Sequence, residues 1–318
     1  MMSYVKYVDF IAPEKIMSID KVFDGLSVPI TPECRAKFKK STRVKKVYAF
    51  KGEDEFVSCV EQIIDRFFTS TQIDPLSIDY LICGNDSMYF CNGISVLHGM
   101  KKKYGLNNAA ILPIAQPCAA ALYAMGLSGK LLDDRSKNIL ILSACYWPDI
   151  NDRYIDFCMR GDGVGLALIG GDAGVLRIDG WRCSNYCDSS YNRLQASSED
   201  IKLTDWRNSM IMYGIDFVRD SLAKLDTRLS EIKRIIPANI RYDVFDELYS
   251  HYLKVDTKIF FLDNIPVGGH MCDVDMLRNL KDCASKRKYK SGDKIVLYTP
   301  DVERSFDVNY NLVLLSFQ

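Results

Sequence analysis

Apolar residues recur along this chain with two periods, and the two periods alternate. From Gly52 to Thr69 the residues Phe56, Val60, Ile63, Ile64 and Phe67 fall three and four apart, the spacing of an amphipathic helix. The stretch Ile73-Asp74-Pro75 then leads into a short apolar run, Ile78 to Gly84, which predicts a strand ending at Asn85-Asp86. Tyr89 to Tyr104 is helical again, Ile111 to Ala115 has strand character, and Ala119 to Leu132 has the Ala, Leu and Met content of a helix buried on most sides. Lys137 to Ala144 predicts a strand covered on both faces. Ahead of these, Tyr4 to Ile11 predicts a strand, and Pro13 to Val22 a turn and short helix. Helices alternating with strands imply a parallel sheet covered by helices, an α/β fold.

The second half repeats the first. Ile215 to Leu229 predicts an amphipathic helix and Ile235-Ile236 a short strand, with Pro237-Ala238-Asn239 standing where Gly84-Asn85 stood. A helix over Tyr242 to Tyr252 follows. The apolar run Lys258 to Leu262 approaches the turn Gly268-Gly269-His270, and Met271 to Leu280 predicts a helix before the strand Lys294 to Tyr298. Asn239 follows Asn85 by 154 residues, His270 follows Cys118 by 152, and Ile295 follows Ile139 by 156. A near-constant offset implies two copies of one α/β unit, here residues 1–178 and 179–318.

That repeat gives Cys118 a partner. Gln116-Pro117-Cys118 lies at a strand-to-helix turn, where a sulfur faces unpaired N–H groups and the positive end of a helix dipole, which favours thiolate. His270, one of three histidines with His98 and His251, occupies the matching turn of the second copy. Across a pseudo-twofold axis the two turns converge, and a thiol beside an imidazole is the minimal nucleophile and base for acyl chemistry.

Composition narrows the partners. The chain has 318 residues, 48% hydrophobic and 26% charged, enough for a large core. Lys+Arg and Asp+Glu both number 41, so no excess charge points to nucleic acid or an anionic membrane. The basic stretch Thr31 to Lys46 is expected to be a solvated loop or helix face, the alternative being a meeting with an acidic partner. Eleven cysteines, an odd number mostly within apolar segments, are expected as reduced thiols in a cytoplasmic protein. The start carries Lys6, Asp9, Glu14 and Lys15 among its apolar residues, unlike a signal peptide, and no apolar run reaches the roughly 18 residues that a span needs. No metal site is expected from spacing, because the Cys183/Cys187 pair has no second pair or histidine nearby. Redox exchange lacks a CxxC motif. Gly161-Asp162-Gly163-Val164-Gly165 precedes a strand rather than a helix, so it is expected as a tight turn and not a nucleotide site.

With these residues in place the chain resembles the thiolase superfamily, most closely the beta-ketoacyl-acyl carrier protein synthase III branch. Gln116 to Ala120 resembles that family's active-cysteine turn, Gly161 to Gly165 its GDGAG-type turn, Ile236 to Arg241 its His-Gln-Ala-Asn-x-Arg motif, and Gly269 to Cys272 its Gly-Asn-x-Ser turn. The resemblance implies a five-layer αβαβα fold of two pseudo-symmetric halves, a homodimer, and an acyl-coenzyme A or acyl carrier protein thioester as substrate, with no bound cofactor. It also implies a supporting turn at Asn239 and a carrier-protein docking arginine at Arg241.

The departures shape the expected chemistry. Ile236 stands where the synthases have histidine, and His270 where they have asparagine. Members specialised for acyl transfer are similar in having a Gly-His turn followed by an aspartate, here Asp275, with Asp273 as the competing orienter of the imidazole; for either, a helix-start aspartate favourable to the dipole is the other reading. The family's glycine-rich oxyanion loop is replaced by the glycine-free stretch Thr299 to Phe306. The expected reaction is transfer of an acyl group from Cys118 to a hydroxyl, amine or thiol acceptor, in specialised metabolism. Claisen condensation, or a non-catalytic partner subunit, is the alternative. The segments Tyr89 to Leu106 and Trp181 to Trp206 are expected to shape the substrate channel and interface, with Trp181, Tyr186, Tyr191 and Trp206 lining a pocket or a dimer contact.

Overall fold

The computed structural model describes residues 2–84, 94–116, 118–133, 137–186, 203–286, 288–302 and 308–318. Asn85, Asp86, Pro117, Cys187, Tyr191 and residues 303–306 of the glycine-free stretch lie outside the described residues, as does the side chain of Trp206.

The strands of one half are β1 (Ser3–Ile11), β4 (Ile78–Gly84), β5 (Ala110–Ile114), β6 (Asn138–Cys145) and β9 (Gly163–Gly170). β4 pairs parallel with β5 and β6, whereas β9 pairs antiparallel with β6 and β1. The other half holds β10 (Leu176–Tyr186), β11 (Ile232–Pro237), β13 (Lys294–Val302) and β14 (Val308–Phe317) with the same senses: β11 parallel to β13, then β13, β14 and β10 antiparallel in turn. Phe260 makes a single parallel bridge to Ile235, at the edge where β5 stands in the first half. β1 and β10 pair over Ser3 to Val5 and join the halves into one nine-stranded sheet. Smaller strands β2 (Ile16–Ser18), β3 (Lys46–Tyr48) and β12 (Val267–Gly268) form a separate sheet, and β7 (Tyr154–Ile155) with β8 (Cys158–Met159) a ribbon.

The helices follow the apolar pattern. α1 is Ile19–Gly25, and α2 (Pro32–Thr42) begins at Thr31, whose hydroxyl accepts from the Cys34 N–H, and ends at Arg43 in the left-handed conformation. It carries the basic stretch as a largely exposed face, with Arg35 paired to Asp24 and Lys39 to Asp20. α3 (Glu53–Thr71) opens with three acidic residues and buries Phe56, Val60, Ile63, Ile64 and Phe67 against β1 and β9. α4 is Ile94–Lys103, α5 Ala120–Leu131, α6 Leu203–Lys224, α7 Ser250–Leu253 and α8 Val274–Lys286.

α5 and α8 touch each other and pack against strands of both halves. They form the middle of five layers, with a half-sheet on either side, α3 outside the first and α6 outside the second. The middle core draws Leu122 and Met125 from α5, Leu277 and Leu280 from α8, and Ile141, Ile236 and Leu297 from the sheets. This is the expected αβαβα architecture. No helix among the described residues is long and apolar enough to cross a membrane.

Four local expectations differ. α6 ends at Lys224 rather than Leu229, because Asp226 at φ 48° turns the chain out of the helix. The segment expected as helix from Tyr242 opens with a π turn over Val244–Tyr249 before α7. Lys258 to Leu262, which the repeat aligns with the strand-like run Ile111 to Ala115, forms no strand: a 3-10 turn over Thr257–Ile259, capped by Asp256, precedes the single bridge at Phe260. α8 starts at Val274, not Met271, since Cys272 at φ 54° interrupts helical backbone.

Candidate active site

The Cys118 turn forms where β5 has ended and α5 begins. The Gln116 carbonyl accepts from the N–H groups of Ala119 (3.2 Å) and Ala120 (3.0 Å), which curls the chain into the helix with Cys118 at its mouth. Ala119, the N-cap, offers no capping side chain. Cys118 is half-buried, whereas most other described cysteines are buried in the core.

His270 is fixed by backbone pairing to the Gly161 turn. Its N–H donates to the Met159 carbonyl (2.8 Å), and its carbonyl accepts from the Gly161 N–H (3.0 Å). The strands lie so close that a Cβ on Gly161 would sit 1.8 Å from the Gly268 oxygen. Gly268 and Gly269 adopt φ values of +115° and +77°, which turn the chain so that the His270 ring is buried.

These two anchors bring the Cys118 Sγ to 3.3 Å from His270 Nε2. On the far side of the ring, Nδ1 lies 2.6 Å from Asp275 Oδ2. Asp275 is fully buried and accepts from the N–H of Asn239 (2.9 Å), its side-chain amide (2.9 Å) and the Met271 N–H (3.0 Å). Asn279 donates in turn to Asn239 (2.9 Å) and the Pro237 carbonyl (3.0 Å). Asp275 and Asn279 lie one turn apart on α8, so one helix face carries a buried polar stripe reaching from the imidazole to the 237–239 turn.

The other expected site residues fall elsewhere. Asp273 accepts from the Ser143 hydroxyl at 2.5 Å, whereas Asp275 is the carboxylate at the imidazole. Ile236 is fully buried in the middle core. Arg241 lies beyond the Asn239 turn and pairs with Asp243. Trp181 packs on Tyr123 and over Gly126 of α5, and its Nε1 donates to Asn311 (3.3 Å), while Tyr186 packs on Tyr213. The Gly161 to Gly165 turn is structural: buried Asp162 accepts from Arg153 (2.7 Å), the Phe50 N–H (2.8 Å) and the Trp147 N–H (2.9 Å).

Sequence reasoning missed the sulfurs around the ring. Cys272 is buried two residues after His270, and the ligating atoms of Cys118, His270 and Cys272 all lie within 4.8 Å of one another. Sulfur hydrogen bonds from Cys118 and Cys145, together with the imidazole, hold the Cys272 thiol well below the ordinary thiol range despite its burial. Burial alone would lower the His270 pKa, but the charge of Asp275, hydrogen-bonded at Nδ1, and that of the lowered Cys272 sulfur oppose it, and the imidazole is held well above its usual value. Cys158, behind the ring, is pushed up to about 12 by burial. Cys118, His270 and Cys272 thus form one thiol–imidazole cluster in which the groups titrate together.

Neither a family model nor a curated protein matches the sequence. Solved structures do. 3-Oxoacyl-[acyl-carrier-protein] synthase III from Aquifex aeolicus superposes with a TM-score of 0.75 at 15% identity, over 99% of this chain and 100% of that one. The acyltransferase ChlB3 gives 0.77 at 13% identity, over 98% and 97%. A histidine-to-alanine variant of OleA from Xanthomonas campestris gives 0.74 at 12% identity, over 100% and 99%. The fold is that of thiolases. The likeness runs over 98–100% of this chain in each of these structures.

Proposed function

We propose that the protein is an acyltransferase working through an acyl-cysteine. The observation that carries this is the unbroken line from Cys118 Sγ to His270 Nε2 and from His270 Nδ1 to Asp275, with Cys118 alone partly open to solvent. The Cys118 thiolate attacks the carbonyl of an acyl thioester from coenzyme A or an acyl carrier protein. A carbon–sulfur bond forms, the start of α5 steadies the tetrahedral oxyanion, and the departing thiol takes its proton from the His270 imidazolium. The neutral imidazole then removes a proton from the acceptor hydroxyl, amine or thiol as it attacks the acyl-enzyme, and Cys118 leaves as thiolate. Asp275 keeps Nε2 directed at the sulfur and stabilises the imidazolium.

Claisen condensation is the second reading, favoured by the synthases among the structural neighbours. Against it, the enolate of a malonyl thioester calls for two donors, and Ile236 sits in the core where one of them would be. We also take the chain as a homodimer of two-half subunits, 1–178 and 179–318, with Arg241 as a carrier-docking candidate whose charge Asp243 partly offsets.

Chasing acylated protein with a panel of alcohols, amines and thiols, and in parallel with malonyl thioester, separates the two. Transfer predicts discharge to an acceptor without carbon dioxide release. Discharge only by malonyl thioester with carbon dioxide release would make the protein a synthase.

A further inference from the structure

Cysteine spacing along the chain offers no metal site, but the fold assembles one from distant residues. We propose that Cys118, His270 and Cys272 form a site for a thiophilic divalent cation such as zinc, with an open fourth position, and that occupancy by the cation and acylation of Cys118 exclude each other.

Three observations carry this. The three ligating atoms lie within 4.8 Å of one another, with sulfur and nitrogen of Cys118 and His270 3.3 Å apart. Bonds of about 2.3 Å to sulfur and about 2.0–2.1 Å to nitrogen place tetrahedral ligand atoms roughly 3.5–3.8 Å apart, so the triad closes on a cation with modest shifts.

The imidazole is already prepared for this role. Asp275 takes its Nδ1 side at 2.6 Å, leaving Nε2 toward the sulfurs, and Asp275 is itself held by Asn239 and the Met271 N–H. A carboxylate behind a ligating histidine is the arrangement that fixes tautomer and ring orientation in zinc centres, and its removal commonly costs about 10–100-fold in affinity.

Access and shielding are also divided suitably. His270 and Cys272 are buried, while Cys118 is partly exposed and marks the entry side and the open position. Cys145, buried and receiving the Trp147 indole N–H, borders Cys272 behind the site. Binding replaces any thiol protons, which pass to solvent, with two thiolate–cation bonds. A bound cation uses the Cys118 electron pair needed for attack and the His270 pair needed for proton transfer.

The test needs no substrate, so it is independent of the proposed reaction. Full-length protein, reduced with a phosphine, is titrated with zinc against a chromophoric chelator and with cobalt(II) for thiolate-to-cobalt charge-transfer absorption. The expected result is one zinc per chain and a charge-transfer band. Cys118→Ala and Cys272→Ser should each weaken binding by at least about 100-fold, and Asp275→Asn by about 10–100-fold. Exposed Cys34→Ser should leave the affinity unchanged, and zinc should slow alkylation of Cys118 in the wild type. Circular dichroism and the milder Asp275→Asn variant separate loss of ligands from loss of fold. Absence of zinc binding by the wild type, or binding in Cys118→Ala and Cys272→Ser as strong as in the wild type, would overturn the proposal.

Discussion

The sulfur of Cys118 lies 3.3 Å from Nε2 of His270, although 152 residues separate them in the chain. Each sits just ahead of a helix, α5 or α8, and those helices are neighbours in the middle layer. The contact therefore follows from the packing of two equivalent turns across the molecule.

Thiol reactivity should reflect that contact. The Cys272 thiol is lowered and the His270 imidazole raised, so the site keeps thiolate as pH falls and keeps its imidazolium partner as pH rises. An ordinary thiol with a pKa of about 8.5 loses roughly 80-fold of its thiolate between about pH 8 and pH 6. Alkylation of the Cys118–Cys272 pair, followed by peptide mass spectrometry, should fall less than about tenfold over the same range. A fall matching the ordinary thiol would remove the ion pair.

Asp275 and Asp273 should separate cleanly. Asp275→Asn removes the charge behind Nδ1 and can present an amide in the wrong tautomeric sense. It should lower acyl discharge by about 100-fold or more and shift its pH profile, since a positioned base contributes about 10²–10⁴-fold. Asp273→Asn disturbs a bond to Ser143 and should leave the pH profile in place. Single-turnover discharge measured across pH distinguishes them.

The Gly161 turn should tolerate no side chain. Alanine there would drive its Cβ into the Gly268 carbonyl, so β12 and the His270 backbone must move. Gly161→Ala should destabilise the fold by about 1–3 kcal/mol in urea melts and slow Cys118 alkylation near neutral pH. Full retention of both would show that the turn does not position His270.

Arg153 should matter for stability more than for chemistry. It pairs with Asp162 where both are nearly inaccessible, and Asp162 also takes the Phe50 and Trp147 N–H groups. Arg153→Ala leaves that carboxylate without its cation and should cost about 3–5 kcal/mol, read from urea unfolding.

Much of the architecture was legible because it is periodic. The spacing of Phe56 to Phe67 names a helix, the runs at Ile78 and Lys137 name buried strands, and the repeat places His270 opposite Cys118. Asp275 could be singled out by its place after His270, but choosing it over Asp273 needed the backbone. Cys272 at φ 54° delays α8, so the two carboxylates leave the helix start in different directions. That β10 pairs with β14 could not be read from either segment, since the register joins residues far apart in the chain, such as Leu176 with Phe317. Trp181 belongs to the packing of α5 against β10, which no single segment encodes. The sulfur cluster is invisible for the same reason: Cys118, Cys145 and Cys272 arrive from three separate elements.

The central claim is an acyl group on Cys118, and intact-protein mass spectrometry after incubation with a panel of acyl-coenzyme A and acyl carrier protein thioesters tests it most directly. The account predicts a mass gain of one acyl group in the wild type, absent in Cys118→Ala and slowed in His270→Ala. An adduct that persists in Cys118→Ala, or no adduct with any donor of either class, would contradict it.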